Sequence, residues 1–187
     1  MGAGSEWGPL AALAGTWEGT DGIDVAFSHS QGKVLDTPYR ESATFKPFGP
    51  VDNGRQHLHG LDYRTAMWRG SEEDPFHTEV GYWLWDAETG EVLRGFVVPR
   101  GITILAGGTA MADATTFTMR AKPGDPLYPI GQNQYLDKNA RTTSYEVTMT
   151  VNADGTVSYE EHTMLEMPEI PGSFDHSDRN TLRRTGD

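Results

Sequence analysis

Gly15-Thr16-Trp17-Glu18-Gly19-Thr20 opens a chain in which short alternating segments follow one another with no long amphipathic helix among them. A glycine-framed tryptophan at the head of a strand series constrains the fold strongly. The glycines allow a sharp turn and close backbone approach, while the indole is large enough to plug one end of a closed sheet and needs a partner for its N–H. A series of antiparallel strands this long removes its exposed edges by closing on itself, and the inside of such a barrel can enclose a small molecule.

Alternation and turn chemistry place the elements. Pro9 to Ala14 reads as a short N-terminal helix, with proline suited to its first position and Gly15 to its end. Strands are expected over Thr16–Gly19, Ile23–Phe27, Tyr39–Phe45, Gln56–Trp68, His77–Trp85, Glu91–Val98, Ile102–Ala110, Thr115–Ala121, Thr142–Val151, Thr156–Leu165 and Arg179–Arg184. Asp86 to Gly90, Pro99-Arg100-Gly101 and Asn152 to Gly155 carry hairpin residues. Tyr145, Val147, Met149 and Val151 alternate with polar neighbours, the mark of a sheet with unlike faces. The expectation is an all-β fold: a single domain over residues 1–187, its core from about 10 to 184, forming one antiparallel barrel of about ten strands. Gly49 to Arg55 reads as a turn-rich link. Lys122 to Ala140, with three prolines and two glycines, reads as a long loop, either folded over the barrel mouth or a solvated insertion.

A formal net charge of −12 argues against nucleic acid and anionic membranes as partners. The absence of cysteine removes disulfides, thiolate ligands and cysteine nucleophiles. Met1 to Gly15 lacks the basic start and apolar core of a secretory leader, and no apolar run approaches a membrane span, so a cytoplasmic location is expected.

Two stretches could carry chemistry. In Phe76-His77-Thr78-Glu79-Val80-Gly81-Tyr82-Trp83, strand geometry sets His77, Glu79, Gly81 and Trp83 on one face and Val80 and Tyr82 on the other. If the first face looks inward, an imidazole and a carboxylate stand in a pocket beside an aromatic wall, with a gap at Gly81 for a flat ligand. If it looks outward, Val80 and Tyr82 form core. His57-Leu58-His59 and Asp62, together with His77 and Glu79, offer nitrogen and oxygen ligands for a metal, or His57 and His59 are two solvated histidines on a polar strand; the latter is preferred, and no metal is expected. Glu160 and His162 on a late strand have no partner visible in sequence. Neither a G-x-S-x-G elbow nor a glycine-rich phosphate loop is present.

Gly15-Thr16-Trp17-Glu18-Gly19, Tyr39-Arg40-Glu41, Phe76 to Tyr82 and Thr181-Leu182-Arg183-Arg184, in that order, resemble the nitrobindin family, whose members are calycin-type, fatty-acid-binding-protein-like barrels. The resemblance implies a ten-stranded antiparallel barrel with a hydrophobic ligand inside. In haem-binding members the ligand is haem b, gripped by a histidine near the last strand and associated with nitric oxide and peroxynitrite chemistry. His77 matches a histidine that projects into the family cavity. A count back from Leu182 puts the axial position at Ser177, with His176 one residue away. One residue along a strand turns a side chain to the opposite face, so His176 is expected to face inward only through a bulge between Ser173 and Asp178.

Two functions follow as expectations. One is a barrel that binds a hydrophobic or amphipathic small ligand, lipid or haem, through His77, Glu79 and Trp83. The alternative is a ferric haem enzyme that isomerises peroxynitrite to nitrate, with His176 as axial ligand.

Overall fold

The computed structural model of the chain describes residues 4–186. Of the segment Met1 to Gly15 discussed above, residues 1–3 lie outside the described residues, as does residue 187. A 3-10 helix over Ser5–Leu13, one and a half times the expected length, leads into β1 (Gly15–Ser28), β2 (Lys33–Asn53), β3 (Gln56–Arg69), β4 (His77–Asp86), β5 (Glu91–Val98), β6 (Ile102–Thr109) and β7 (Thr116–Ala121). The chain continues through β8 (Ile130–Gln132), a short helix α1 (Gln134–Asn139), β9 (Arg141–Val151), β10 (Val157–Met167) and β11 (Ile170–Gly186). No helix among the described residues is long and apolar enough to cross a membrane.

All pairings between strands are antiparallel. β5-β4-β3-β2-β1-β11-β10-β9-β7-β6 form a ring that closes by pairing β5 with β6. This is a closed ten-stranded barrel, with β8 added beside β6. β6 divides its outer edge: Gly107 meets Arg120 of β7, while Ile102 to Ile104 pair with Gln132 to Ile130 of β8.

The opening and closing motifs meet at one end. Trp17 is 1% exposed, and its indole N–H donates to the Leu13 carbonyl at 2.7 Å. The Arg184 guanidinium lies 4.5 Å above the ring and donates to the carbonyls of Ala12 and Ala14. Gly15 has φ of 128°, and a Cβ there would meet the Gly186 carbonyl at 2.7 Å, so the turn into β1 requires glycine. Leu10, Leu13, Leu61, Val92, Met119 and Leu182 are buried with the indole in one hydrophobic core.

Two stretches read as connections are built otherwise. β2 and β3 run past the barrel rim to pair Asn53 with Gln56, so Gly49 to Asn53 is strand and the turn is confined to Gly54 and Arg55. The segment from Lys122 to Ala140 holds β8 and α1, with the Asn133 side chain accepting from the Leu136 N–H at 2.9 Å as an N-cap. Leu136 is 4% exposed and lines the cavity with Ala140, so α1 closes over it, while Leu127 and Tyr135 of the same segment stand in solvent.

Candidate functional site

The half of the barrel away from Trp17 encloses a cavity of about 350 Å3. Inward positions follow from the strand period. β4 turns His77, Glu79, Trp83 and Trp85 inward and leaves Val80 and Tyr82 about half exposed, which decides between the two faces left open by sequence. Gly81 shares the inward parity without opening space for a ligand. A Cβ there would lie 1.9 Å from the Gly95 carbonyl oxygen, so its missing side chain serves the close approach of β5.

Arg94 organises the cavity floor. It sits on β5 directly opposite Trp83, 5% exposed, in phase with Val92, Phe96 and Val98. Its guanidinium donates to Glu79 at 2.5 Å, to Glu161 at 2.6 Å, and to the hydroxyls of Tyr63 and Tyr145. Those hydroxyls in turn donate to Glu79 at 2.8 Å and to Glu161 at 2.6 Å. Burial works against the Glu79 carboxylate, but Arg94 and His77 outweigh it and its pKa falls to about 2. His77 places Nε2 3.1 Å from Glu79. Burial lowers the pKa of His77, yet the neighbouring carboxylate prevails and raises it.

A second acidic group stands beside the first. Glu41 is 5% exposed and accepts from Thr65 at 2.8 Å, Tyr159 at 2.7 Å and Asn180 at 3.0 Å. Burial raises its pKa in spite of these bonds. Asp178, which accepts a long 3.4 Å hydrogen bond from the Tyr39 hydroxyl, is pushed well above the carboxylate range by burial and by the charges of Glu161, Glu79, Glu41 and Asp24.

His176 lines the cavity, and no bulge brings it there. The ladder from Ser173 to Leu182 runs unbroken against β10, and Phe174, His176, Asp178 and Leu182 share the inward face. The expectation that His176 needs a bulge to face inward is therefore corrected: it has the same parity as the buried Leu182, while Ser177 points the other way. The irregularity lies in β1 instead. An extra residue between Gly19 and Gly22 shifts the inward set from Trp17 and Gly19 to Gly22, Asp24 and Ala26. Asp24 thereby meets His176, Nε2 to Oδ1 at 2.9 Å, and Arg69 at 3.1 Å. Burial opposes its ionisation, but His176 and Arg69 outweigh that and lower its pKa.

The remaining candidates do not join this cavity. His57 is exposed and bound to Asp52, and His59 stacks edge-on against Trp7 at 4.7 Å. Asp62 points to the opposite face of β3 from them. Among the described residues no three histidine or acidic side chains are placed to hold a metal ion. His162 sits on the outer face beside Asp175 and Glu160.

The donor set does not fit haem. Axial ligation of haem iron uses the imidazole Nε2, with Nδ1 as the nitrogen held by a carboxylate or carbonyl. The imidazoles of His77 and His176 both direct Nε2 at a buried carboxylate, Glu79 and Asp24. The central Arg94 is already paired with Glu79 and Glu161, and Arg69 with Asp24, so neither is free to hold a propionate.

Sequence reasoning reached His77, Glu79 and Trp83 but not Arg94, Glu161, Tyr63 or Asp24. A readable signal existed for Arg94, a charged residue in phase with Val92, Phe96 and Val98. None existed for Asp24, which depends on the bulge.

A family model described as THAP4-like, heme-binding beta-barrel domain matches residues 6–184. Among solved structures, the crystal structure of Rv2717c from M. tuberculosis is similar, with a TM-score of 0.66 and 20% identity over 94% of each chain. No curated protein matches the chain.

Proposed function

Because the chain belongs to the THAP4-like, heme-binding β-barrel family, the nitrobindin family, we propose that it binds an amphipathic small molecule inside the barrel without an iron–imidazole bond. The observation that carries this reading is the division of the cavity: a fixed polar floor around Arg94 and Glu79, and an apolar upper wall that includes Ile102, Leu136, Leu165 and Phe174. Ligand pockets are apolar enclosures with a few convergent polar groups, and a volume of about 350 Å3 falls within their usual range. His77, Glu79 and Trp83 contact the ligand's polar end in this reading, and the helix α1 covers its apolar end.

The floor holds its charges in place before any ligand arrives. Arg94 is fixed by two carboxylates and two tyrosines, so binding requires no further ordering of those side chains. Binding of Nile red, a neutral dye that brightens in apolar surroundings, tests the reading. Thr163 lines the cavity, and Thr163→Trp fills the space. The expected result is a stoichiometric fluorescence gain in the native protein that is lost in a Thr163→Trp variant of unchanged melting temperature. Dye binding that persists in that folded variant would overturn the assignment to the cavity.

A further inference from the structure

Three carboxyl groups stand side by side on the inner wall of the barrel. Asp178 of β11 lies directly opposite Asp24 of β1 on one side and Glu161 of β10 on the other, and all three line the cavity. Side chains so placed are about 5 Å apart at Cβ. The outer two are answered by cations, Asp24 by Arg69 and His176, and Glu161 by Arg94. Asp178 is not. Among the described residues it forms no ion pair, and its Oδ1 accepts only the long 3.4 Å bond from Tyr39, whose hydroxyl lies 2.7 Å from that of Tyr159. Its Oδ2 has no hydrogen bond and is not sealed off, since the partnerless side-chain atoms buried out of reach are those of Arg69, Trp83 and Arg94. Asp178 is only half-buried, and it lines the cavity.

The middle carboxyl of such a row keeps its proton until a cation comes to it, because adjacent carboxylates resist ionising together. Burial and the charges of Glu161, Glu79, Glu41 and Asp24 accordingly raise the pKa of Asp178 well above the carboxylate range. The cations of the cavity are committed or distant. Arg94 is shared between Glu79 and Glu161, Arg69 and His176 hold Asp24, and His77 holds Glu79. Arg100 stands on the exposed turn after β5, five strands around the ring from β11, and His29 lies against Glu169 on the surface. Glu41 is occupied by Thr65, Tyr159 and Asn180. We infer that the cavity takes a cationic amphiphile, a primary alkylammonium, whose nitrogen sits at Asp178 in exchange for the carboxyl proton, which leaves to solvent. The exchange keeps the charge of the row unchanged, and the ammonium brings three N–H donors where the carboxyl had one O–H. Phe174 lies on the same inward face of β11, so the alkyl chain runs from Asp178 toward the apolar upper wall. The net charge of −12 draws cations toward the protein. This inference rests on the ligand-binding reading above and adds the chemical class of the ligand to it.

Calorimetric titration with decylamine, decanol and decanoate at neutral pH tests it. Decylamine should bind about tenfold or more tightly than either of the others, the effect of one charge-assisted hydrogen bond. Its binding should release about one proton per ligand, read from the change in binding enthalpy between buffers of different ionisation enthalpy. Asp178→Asn keeps the shape of the protonated carboxyl and removes the exchangeable proton, so the folded variant should lose both the preference and the release. Decanol or decanoate binding the native protein as tightly as decylamine overturns the inference, whether or not the variant folds. Decylamine binding without proton release overturns the exchange, and a folded Asp178→Asn protein with unchanged decylamine affinity overturns the seating at Asp178. Failure of Nile red to bind marks the loss of the underlying cavity reading, whereas Nile red that binds while decylamine shows no preference marks the loss of this inference alone.

Discussion

His176 and Asp24 join the last strand to the first inside the barrel, Nε2 to Oδ1 at 2.9 Å, with Asp24 also held by Arg69. This contact occupies the nitrogen that an axial haem ligand would present. Added hemin should accordingly give no stoichiometric Soret band with the native protein. Asp24→Ala releases the imidazole and should allow a band that a second change, His176→Ala, removes. A tight band in the native protein that disappears in His176→Ala alone would contradict the role given to Asp24.

The buried indole of Trp17 predicts a large stability loss on truncation. Trp17→Ala should cost about 3–5 kcal/mol, the usual range for a buried aromatic side chain, measured as a shift in the urea midpoint. A loss below about half a kcal/mol would be inconsistent with 1% exposure and the bond to Leu13.

Arg94 joins two carboxylates, so its removal leaves both uncompensated in the interior. Arg94→Met should destabilise by about 3–5 kcal/mol. Adding Glu79→Gln and Glu161→Gln to that variant removes the stranded charges and should recover most of the loss. If the triple variant is as unstable as Arg94→Met, packing of the guanidinium against Phe96, 4.3 Å away, outweighs its charge.

Asp178 and Glu79 impose opposite pH dependences. The folded pKa of Glu79 is depressed to about 2, so its contribution is present above the unfolded value near 4.5 and fades as the pH falls toward 2. The folded pKa of Asp178 is raised well above 3.8, so the folded state retains a proton that the unfolded state has released. Stability then declines as the pH rises from about 4 through the folded pKa. Asp178→Asn should stabilise the protein at neutral pH, with the gain vanishing near pH 4. Urea titrations at several pH values check this, and an equal effect at both ends would rule out ionisation as the cause.

The barrel was largely legible because period-two alternation and turn residues survive in most strands of the ring, such as β5 and β9. The strand with Val92, Arg94, Phe96 and Val98 even announces its inward arginine by phase. Asp24 was hidden for a physical reason. Counted from Trp17, it has outward parity, and only the extra residue between Gly19 and Gly22 reverses it. His176 was misjudged by the converse error, since its direction was referred to a family count and not to its own even spacing from Leu182. The helix α1 was obscured by the prolines and glycines around it, because six residues are too few for a periodic pattern to emerge.

The pairing of β1 with β11 has a consequence for how the chain is made. The first strand waits for its second neighbour until more than 150 residues have followed it, since Val25 pairs with Ser177 and Trp17 with Arg184. A nascent chain that has not yet released β11 from the ribosome presents two open sheet edges, one on β1 and one on β10. Synthesis therefore passes through a stage in which an unclosed ten-strand sheet must avoid pairing with other chains, and the ring joins only when its final segment arrives.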